Sequence, residues 1–356
     1  MNRRFCLKDV LTRFDENKMT YEILPLGEHA STVVTQYGGR VIGPFFEDGA
    51  ALCWLNEAFS DAGDFRKFVD NKMWNIGGDR VWTAPEHPFF VKQRDHFFDT
   101  FCVSKAMDPG RYTIEKRDEE IQVAQDVITD VFQGSFSIKE FSVSRRIYPV
   151  QNPLFKMAQT TGLSVQYCGY EQEITLEDLS PDRVMPLESW ELLSINPGGR
   201  VLIPYYGTFD FVDYYEPTDA AHMTVHEGFA EVTVDGCKRY KTAFYALNTM
   251  GRSVYVNKNE NGYYLIYKQY YNDPSNPYCC DPYNQPGKSA CSLYIYNDAA
   301  QDNGFGGFEN SGLTIGKGTH RTKATTNMTH MFFTGARDDL EKIITVLLGI
   351  RYRITF

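Results

Sequence analysis

Short strand patterns separated by turn residues run through most of this sequence, and they constrain its fold more than any other feature. Runs of apolar, β-branched and aromatic residues recur from position 111 onward, as in "SFSIKEFSVSRRIYPV", "FAEVTVDG", "GYYLIYKQYY" and "THMFFTG". An aromatic fraction of 15% also favours β structure. No period of about 20–50 residues repeats, which argues against propellers and solenoids. We therefore predict an all-β fold, an antiparallel β-sandwich with a few short helices.

Turn chemistry between strand patterns predicts two hairpins. In "STVVTQYGGRVIGPFF" the pair Gly38-Gly39 separates two apolar runs, and in "PLESWELLSINPGGRVLIPYY" the turn residues are Asn196 to Gly199. Glycine, proline and asparagine supply the backbone conformations that tight turns need. We expect each segment to form two adjacent antiparallel strands.

Helical spacing of apolar residues is confined to a few segments. "CLKDVLTRFDENK" and "FRKFVDNK" each predict a short helix, and "RDDLEKIITVLLGI" predicts a longer one. The buried stripe of the last helix should contain Leu340, Ile343, Ile344, Leu347 and Leu348. No linker rich in proline, serine or charge interrupts the chain. We therefore predict a single domain over residues 1–356, with an N-terminal helical extension over 1–20 and a C-terminal helix over 337–350.

The composition narrows the classes of partner. The formal net charge of −10 comes from 36 basic and 46 acidic residues without a long run of like charge, so neither nucleic acid nor a membrane is an expected partner. No stretch approaches the roughly 18 apolar residues of a membrane span, and the N-terminus lacks the apolar segment of a secretory signal. The eight cysteines show no zinc-site spacing, which favours reduced thiols. These features predict a cytoplasmic protein and leave its oligomeric state open.

The segment "WNIGGDRVWTAPEHPFF" concentrates residue types that suit a sugar site. Aromatic faces stack on the C–H groups of a pyranose ring, while carboxylates and guanidinium groups bind its hydroxyls. The candidate binding and catalytic residues in this segment are Trp74, Asp79, Arg80, Trp82, Glu86 and His87. The alternative is that both tryptophans are core residues and that Asp79 and Arg80 form a structural ion pair. Removal of Arg80 would distinguish the two, because only a buried pair would lose much stability.

Two further segments offer carboxylates. Glu309 follows the glycines of "GFGGFENSG" and is expected to lie in a loop, where it could act as a general base; the alternative is an exposed acidic residue. Glu188 and Trp190 lie two residues apart in "PLESWELL", so on a strand they share a face. They could border the same cleft, or Trp190 could belong to the core.

Further candidate residues lie in the segment "KQYYNDPSNPYCCDPYNQPGK" and among the histidines. This polar, aromatic segment is expected to cover the site, with Lys268 and Asp281 as candidate contacts. His222 and His226 have one-face spacing but lack a third ligand, so no metal site is predicted. The sequence contains no nucleophile elbow, phosphate loop or dinucleotide fingerprint, and no cofactor is expected.

Three segments in order resemble the galactose mutarotase-like (aldose 1-epimerase-like) superfamily, particularly its uncharacterised bacterial branches. They are "YGGRVIGPFF", "GGDRVWTAPE" and "SWELLSINPGGRVLIPYY", and the ending "YIYND…FGGFENSG…THMFFTGARDDLEKIITVLLG" is similar as well. The resemblance spans roughly residues 21–349. It implies an antiparallel β-supersandwich with a carbohydrate cleft on its concave face, and a small-molecule carbohydrate as the partner.

The sequence departs from this superfamily at the catalytic motif. True mutarotases carry an Asn-His-x-Tyr-Phe motif whose histidine is the acid, whereas the comparable point here has Glu188-Ser189-Trp190. Their catalytic glutamate lies on a late strand; "CSLYIYND" has no glutamate, and Glu309 follows shortly after it. We predict Glu309 as base and His87 as acid, with Arg80 and the tryptophans binding the sugar.

Three functions are compatible with these residues. The first is an aldose 1-epimerase-like isomerase acting on a monosaccharide or short glycoside by acid/base chemistry. The second is a glycoside hydrolase or lyase, for which Glu86, Glu188 and Glu309 could supply a carboxylate pair. The third is a sugar-binding protein without catalytic activity, which the missing histidine motif favours.

Overall fold

Two large antiparallel sheets form the framework of the protein. The computed structural model describes residues 4–47, 49–157, 162–260, 262–299 and 304–356. Strands are numbered β1 to β19 along the chain. The nine-stranded sheet has the order β1-β2-β3-β4-β9-β18-β17-β14-β11, and the ten-stranded sheet has the order β12-β13-β10-β15-β16-β19-β8-β7-β6-β5.

The strands of the nine-stranded sheet come from both halves of the chain. They are β1 (Tyr21–Pro25), β2 (Ala30–Thr35), β3 (Arg40–Phe46), β4 (Asp79–Ala84), β9 (Pro186–Ile195), β11 (Phe211–Asp213), β14 (Tyr240–Tyr245), β17 (Cys291–Asn297) and β18 (Gly306–Gly316).

The ten-stranded sheet contains the longer strands. They are β5 (Thr113–Arg117), β6 (Glu120–Asp130), β7 (Ile138–Pro149), β8 (Val165–Asp178), β10 (Gly199–Pro204), β12 (Met223–His226), β13 (Phe229–Val234), β15 (Arg252–Asn259), β16 (Gly262–Gln269) and β19 (Lys323–Gly335). The predicted all-β fold, an antiparallel β-supersandwich with a few short helices, is confirmed.

The helices are short and lie outside the sheets. They are α1 (Leu7–Glu16), α2 (Ala62–Asp70), α3 (Glu86–Phe90), α4 (Phe97–Thr100) and α5 (Arg337–Leu348), with 3-10 turns at Tyr37–Gly39, Glu57–Ser60 and Arg94–His96. The predicted helices near residues 7, 65 and 337 are confirmed. Four of the five stripe residues of α5 are buried, and Leu347 is half-buried. None of the helices in the described ranges is long and apolar enough to cross a membrane.

One predicted hairpin is confirmed and the other is wrong. Strands β2 and β3 pair directly, as expected from Gly38-Gly39. Strands β9 and β10 do not pair: β9 lies between β4 and β18, whereas β10 lies between β13 and β15 in the other sheet. The segment Asn196–Gly198 carries the chain from one sheet to the other. Turn residues identify a change of direction, but they do not identify the strand with which the chain pairs next.

The outer face of the nine-stranded sheet is covered where β4 and β9 lie. Strand β6 alternates between buried and exposed positions, as expected for a strand with one face in solvent. Strand β4, in contrast, is buried at every position, and β9 at all but its first residue. The covering layer includes the segment from Glu86 to Phe101 and a loop around Cys279 and Asp281, which bonds to His87 and Glu188. Part of this covered face remains open as a cavity.

Candidate active site

A cavity of about 530 Å³ lies on the outer face of the nine-stranded sheet. Its lining combines aromatic rings with carboxylates and cations. The lining includes Trp74, Arg80, Trp82, Glu86, Trp190, Leu192, Tyr215, Arg239, Lys241, Tyr296, Asp298 and Glu309. This volume and the mixture of apolar walls with a few convergent polar groups are typical of small-molecule sites.

Strand alternation places Asp79 and Arg80 on opposite faces of the sheet. The carboxylate of Asp79 contacts Arg145 of β7 at 2.9 Å, so it points toward the ten-stranded sheet. Successive side chains of a strand point to opposite faces, and Arg80 accordingly lines the cavity. The structural ion pair that the sequence suggested as an alternative, Asp79 with Arg80, is not formed; Asp79 pairs with Arg145 instead.

Strand register brings Arg80 and Glu309 to the same face. Arg80 is paired with Leu192 of β9, and Leu192 is paired in turn with Glu309 of β18. These side chains form one row across the sheet, and two strand spacings correspond to about 10 Å between the backbones of Arg80 and Glu309. The row leaves room for a small ring above Leu192, flanked by a guanidinium and a carboxylate.

Lys241 joins two carboxylates at the base of the cavity. Its Nζ lies 3.2 Å from Glu86 Oε2 and 3.4 Å from Glu309 Oε2. Those two oxygens therefore lie no further apart than the sum of the two distances, 6.6 Å. Burial opposes the charged form of Lys241, yet the carboxylates of Glu309 and Glu86 outweigh it and raise its pKa. The lysine remains protonated and holds both carboxylates in place.

The environment of Glu309 suits a base. Burial raises its pKa, an effect that the positive charge of Lys241 opposes. The Nε1 of Trp190 donates a hydrogen bond to Glu309 Oε2 at 3.2 Å, and the Nζ of Lys241 lies 4.1 Å from the centre of the Trp190 ring. Tyr215 fixes the other carboxylate by donating to Glu86 Oε1 at 2.7 Å.

Two tryptophans hold Arg80 between them. The guanidinium carbon lies 5.1 Å from the ring centre of Trp74 and 4.6 Å from that of Trp82. Trp74 is half-buried, whereas Trp82 is fully buried and donates through Nε1 to Asp108. The aromatic pair orients the planar guanidinium, and Trp74 keeps an exposed edge for contact with a ligand.

Asp298 is a cavity residue that the sequence did not single out. Burial raises its pKa to about 6, against the lowering effects of the Tyr296 hydroxyl and of Arg239. Tyr296 donates to Asp298 Oδ1 at 2.7 Å, and the other carboxylate oxygen is buried and has no hydrogen-bond partner among the described residues. Asp298 directly follows β17, and the alternation of "YIYND" could have indicated the cavity side of that strand. A carboxyl group with such a pKa can donate a proton near neutral pH.

The structure brings six of the ten predicted site residues to the cavity. These are Trp74, Arg80, Trp82, Glu86, Trp190 and Glu309. Besides Asp298, sequence analysis missed Lys241, Arg239, Tyr215 and Tyr296. Lys241 and Tyr296 lie in alternating strand segments, where nothing local distinguishes a cavity position from a core position.

Four predicted residues lie outside the cavity lining. His87 is buried in α3, where its Nε2 lies 2.8 Å from the carbonyl oxygen of Asp281, and burial lowers its pKa. Glu188 lies beneath the covering loop and accepts from Thr314 at 2.9 Å. Asp79 and Lys268 point between the two sheets, on the opposite side from the cavity. The geometry therefore offers Asp298 in place of His87 as the candidate acid.

Asp79 and Lys268 belong to a buried polar group that we call the inter-sheet network, formed by Asp79, Arg145, Glu191, Lys268 and His330. Lys268 bonds to Glu191, and His330 Nε2 lies 3.2 Å from Glu191 Oε1. Ligand atoms of Asp79, Glu191 and His330 all lie within 4.8 Å of one another, the arrangement of a candidate metal site. Both carboxylates, however, already have cationic partners, which favours an ionic network over a metal site.

Glu309 lies in a strand, and its predicted position in a loop is wrong. The preceding glycines pack closely within the sheet instead of forming a turn. A Cβ atom on Gly306 would lie 2.4 Å from Val234, and one on Gly307 would lie 2.5 Å from the Glu309 carboxylate. Because these two positions have no side chains, β18 packs closely against Val234 and leaves space for the Glu309 carboxylate. The strand fixes the backbone position of Glu309.

A second depression of about 750 Å³ lies elsewhere on the surface. Its charged residues are Lys18, Lys72, Lys105, Arg111 and Asp126, and all five are exposed. Exposed charges remain hydrated, whereas most of the charged groups that line the first cavity are buried. The first cavity is therefore the better candidate for an active site.

The model of one protein family matches almost the whole chain. It is described as "Family of unknown function (DUF6786)", and it matches residues 13–354. No curated protein matches this sequence.

Solved structures of similar architecture include proteins with mutarotase and epimerase names. One is a galactose mutarotase-like protein from Clostridium acetobutylicum, with 12% identity over 89% of this chain and 98% of that chain and a TM-score of 0.47. Another is galactose 1-epimerase from Lactobacillus acidophilus NCFM, with 10% identity over 88% and 94% and a TM-score of 0.41. A third is a GalM/aldose epimerase homologue from C. elegans, with 8% identity over 88% and 98% and a TM-score of 0.36.

These matches are of the kind that the sequence resemblance predicted. All three TM-scores are below 0.5, so these structures carry no information about the function of the cavity.

Proposed function

The chain belongs to the family of unknown function DUF6786, and we propose that it binds a monosaccharide or the free reducing end of a short oligosaccharide in the cavity and catalyses interconversion of its anomers. The observation that carries this proposal is the position of two ionisable carboxyl groups, Glu309 and Asp298, in one cavity with tryptophan walls. Aromatic faces stack on sugar rings, and paired acid and base groups are what anomer interconversion needs. The resemblance of the sequence to aldose 1-epimerases supports the same chemistry.

The proposed reaction moves two protons. Glu309 removes the proton from the anomeric hydroxyl, Asp298 protonates the ring oxygen, and the bond between the anomeric carbon and that oxygen breaks. The resulting open-chain aldehyde rotates about its first carbon–carbon bond and closes again by the reverse transfers. No atom other than hydrogen is exchanged, so the two carboxyl groups suffice.

Lys241 and Glu86 have supporting roles in this proposal. Lys241 stabilises the ionised form of Glu309 before it accepts a proton, and Glu86 balances the charge of Lys241 once Glu309 has become neutral. Tyr296 keeps the Asp298 carboxyl oriented. These contacts lie on strands and on α3, so little movement is needed to assemble the reacting groups.

The first test is the rate of anomer interconversion with freshly dissolved α-aldoses, followed by polarimetry or proton NMR. Replacement of the base, Glu309→Gln, should lower kcat/KM by about 10²–10⁴-fold, the usual contribution of a positioned acid or base. The exposed Arg117, which pairs with Glu115 on the surface, provides the control Arg117→Gln, whose rate should equal that of the wild type. Because Asp298 must be protonated, the wild-type rate should fall as pH rises above about 6. A wild-type rate no faster than solvent would contradict the proposal.

One observation favours glycoside hydrolysis as a second candidate. The carboxylate oxygens of Glu86 and Glu309 are at most 6.6 Å apart. Retaining hydrolases place their two carboxyl groups about 5–5.5 Å apart and inverting ones about 6.5–9.5 Å. Product analysis on oligosaccharides distinguishes the two functions, because hydrolysis releases a shorter sugar and anomer interconversion does not. Binding without either reaction would identify a sugar-binding protein.

A further inference from the structure

Arg80 differs from every other buried cation in the part of the chain that the structure describes. Six arginine and lysine residues there are buried, and five of them lie within 4 Å of a carboxylate. The pairs are Arg40–Asp108, Lys139–Asp178, Arg145–Asp79, Lys241–Glu86 and Lys268–Glu191. Arg80 is only 4% exposed, and no described carboxylate lies that close to it. It is the one buried cation of this set without a counter-ion.

The guanidinium of Arg80 also has few hydrogen-bond partners among the described residues. Within the described ranges its side chain makes a single hydrogen bond, from Nη1 to Ser194 Oγ at 3.2 Å. Its Nε is buried without a partner. A guanidinium carries five N–H donors in a fixed plane, so most of its donor capacity is unused. The rings of Trp74 and Trp82 hold that plane in one orientation beside the cavity.

A buried charge without a partner is costly, and the cost is removed when a ligand supplies the opposite charge. Burial and the nearby charge of Arg40 lower the pKa of Arg80 to about 9, so the group is still charged at neutral pH. The neighbouring carboxylates Asp108, Asp79 and Glu309 raise the pKa of Arg80. Each of them, however, already has a closer cation, Arg40, Arg145 and Lys241 respectively. The missing counter-ion must therefore come from the cavity, which Arg80 lines.

We propose that the natural ligand is an acidic sugar, a uronic acid or a short oligosaccharide with one at its reducing end, whose carboxylate binds Arg80. This inference rests on the proposed function and specifies its substrate class. A carboxylate is planar and singly charged, so it matches one guanidinium in both geometry and charge. In a uronic acid the carboxylate-bearing carbon and the anomeric carbon flank the ring oxygen. A ring above Leu192 can thus place its carboxylate at Arg80 and its anomeric hydroxyl at Glu309.

The test is calorimetric titration of the full chain with matched pairs of sugars: galacturonate with galactose, and glucuronate with glucose. Charge-assisted hydrogen bonds contribute enough that at least one uronate should bind about 10- to 100-fold more tightly than its neutral counterpart. In Arg80→Gln that preference should disappear, because the variant should lose more affinity for the uronate than for the neutral sugar, by about the same 10- to 100-fold. Arg80→Lys, which keeps the charge but loses the planar fork, should retain only part of the preference. The exposed-site control Arg117→Gln should retain all of it.

The outcomes distinguish a failure of this inference from a failure of the proposed function. Equal affinities for the acidic and neutral sugars, or a uronate preference that survives in Arg80→Gln, would overturn the inference and leave anomer interconversion standing. Uronate binding that depends on Arg80, without accelerated interconversion, would support the inference and contradict the function. Tighter binding of galactose 6-phosphate or glucose 6-phosphate than of either uronate would overturn the assignment to a carboxylate. Binding of none of these sugars would overturn both proposals.

Discussion

The two buried charge groups of this protein lie on opposite faces of the same strands and differ in how completely they are paired. On the inner face, the inter-sheet network contains two carboxylates and two cations, and burial lowers the pKa of His330 to about 3, so that it is neutral. On the cavity side, Lys241 is shared by two carboxylates, and no carboxylate of the described residues lies within 4 Å of Arg80. In the inner group each carboxylate has its own cation, whereas in the cavity two carboxylates share one cation and Arg80 is left over.

This difference indicates which group is structural and which is functional. Buried charges that stabilise a fold are paired and hydrogen-bonded, because a lone charge in a protein interior is expensive. Unpaired groups persist where a ligand completes them, and perturbed pKa values concentrate at such sites. Arg80 is a buried cation without a close carboxylate among the described residues, Asp298 has a raised pKa, and both line the cavity. If the inner group is structural and the cavity group is functional, substitutions on the inner face should lower the stability of the fold more than substitutions in the cavity.

The largest expected effect comes from the inner face. Arg145 contacts Asp79 at 2.9 Å and Gln172 Oε1 at 2.9 Å, all in the interior. The change Arg145→Met leaves the Asp79 carboxylate buried without its cation and should lower the free energy of unfolding by about 3–5 kcal/mol. Urea unfolding measures this loss. The matched surface change, Arg117→Met, should cost less than about 1 kcal/mol. A small loss of unfolding free energy in Arg145→Met would mean that the inter-sheet network contributes little to the stability of the fold.

An intermediate effect, dependent on pH, is expected at Asp298. Because burial raises its pKa to about 6, the folded state binds this proton more tightly than the unfolded state does. The resulting stabilisation is present at low pH and is lost as pH rises through about 6. Asp298→Asn should therefore exceed the wild type in unfolding free energy by about 1–2 kcal/mol near pH 8, allowing for solvent screening, and by less near pH 4. A difference independent of pH would show that Asp298 does not titrate in this range.

The smallest effect on stability is expected at Arg80, despite its burial. Arg80→Gln removes cation–π contacts but also removes a buried charge that has no partner, and it leaves no carboxylate unpaired. The free energy of unfolding should change by less than about 1 kcal/mol, in either direction. Urea unfolding without ligand, in parallel with Arg145→Met, gives the comparison. Equal losses in the two variants would mean that the cavity charges are as structural as the inner ones.

The candidate site could be predicted in part because aromatic and charged residues cluster locally in the sequence. The segment Trp74–Phe90 contributes Arg80, Trp82 and Glu86 to the cavity, and its composition alone suggested a sugar site. The same composition also suggested Asp79 and His87, which the structure places elsewhere. Residue types indicated the chemistry, but the side on which each residue lies depends on where the strand begins and on what covers it.

The residues that complete the site could not be predicted, because they come from distant strands. Lys241 and Asp298 reach the cavity through the order β9-β18-β17-β14, which places β14 and β17 beside β18. Pairing between strands far apart in the chain is not encoded in any local pattern. The same limitation explains the wrong hairpin at Asn196–Gly198, where the turn was recognised but not the change of sheet.

The sequence by itself determined the all-β antiparallel architecture, the short helices and the presence of a segment suited to sugar binding. These are local properties: strand periodicity, helical spacing and residue chemistry act over a few residues and can be recognised without knowing the fold. Only the tertiary structure decided that the side chains of Asp79 and Arg80 lie on different faces, that Glu309 lies in a strand, and that Arg80 has no carboxylate within 4 Å in the described ranges. Charge pairing depends on distances between groups that are remote in the chain, and those distances are set when the two sheets assemble.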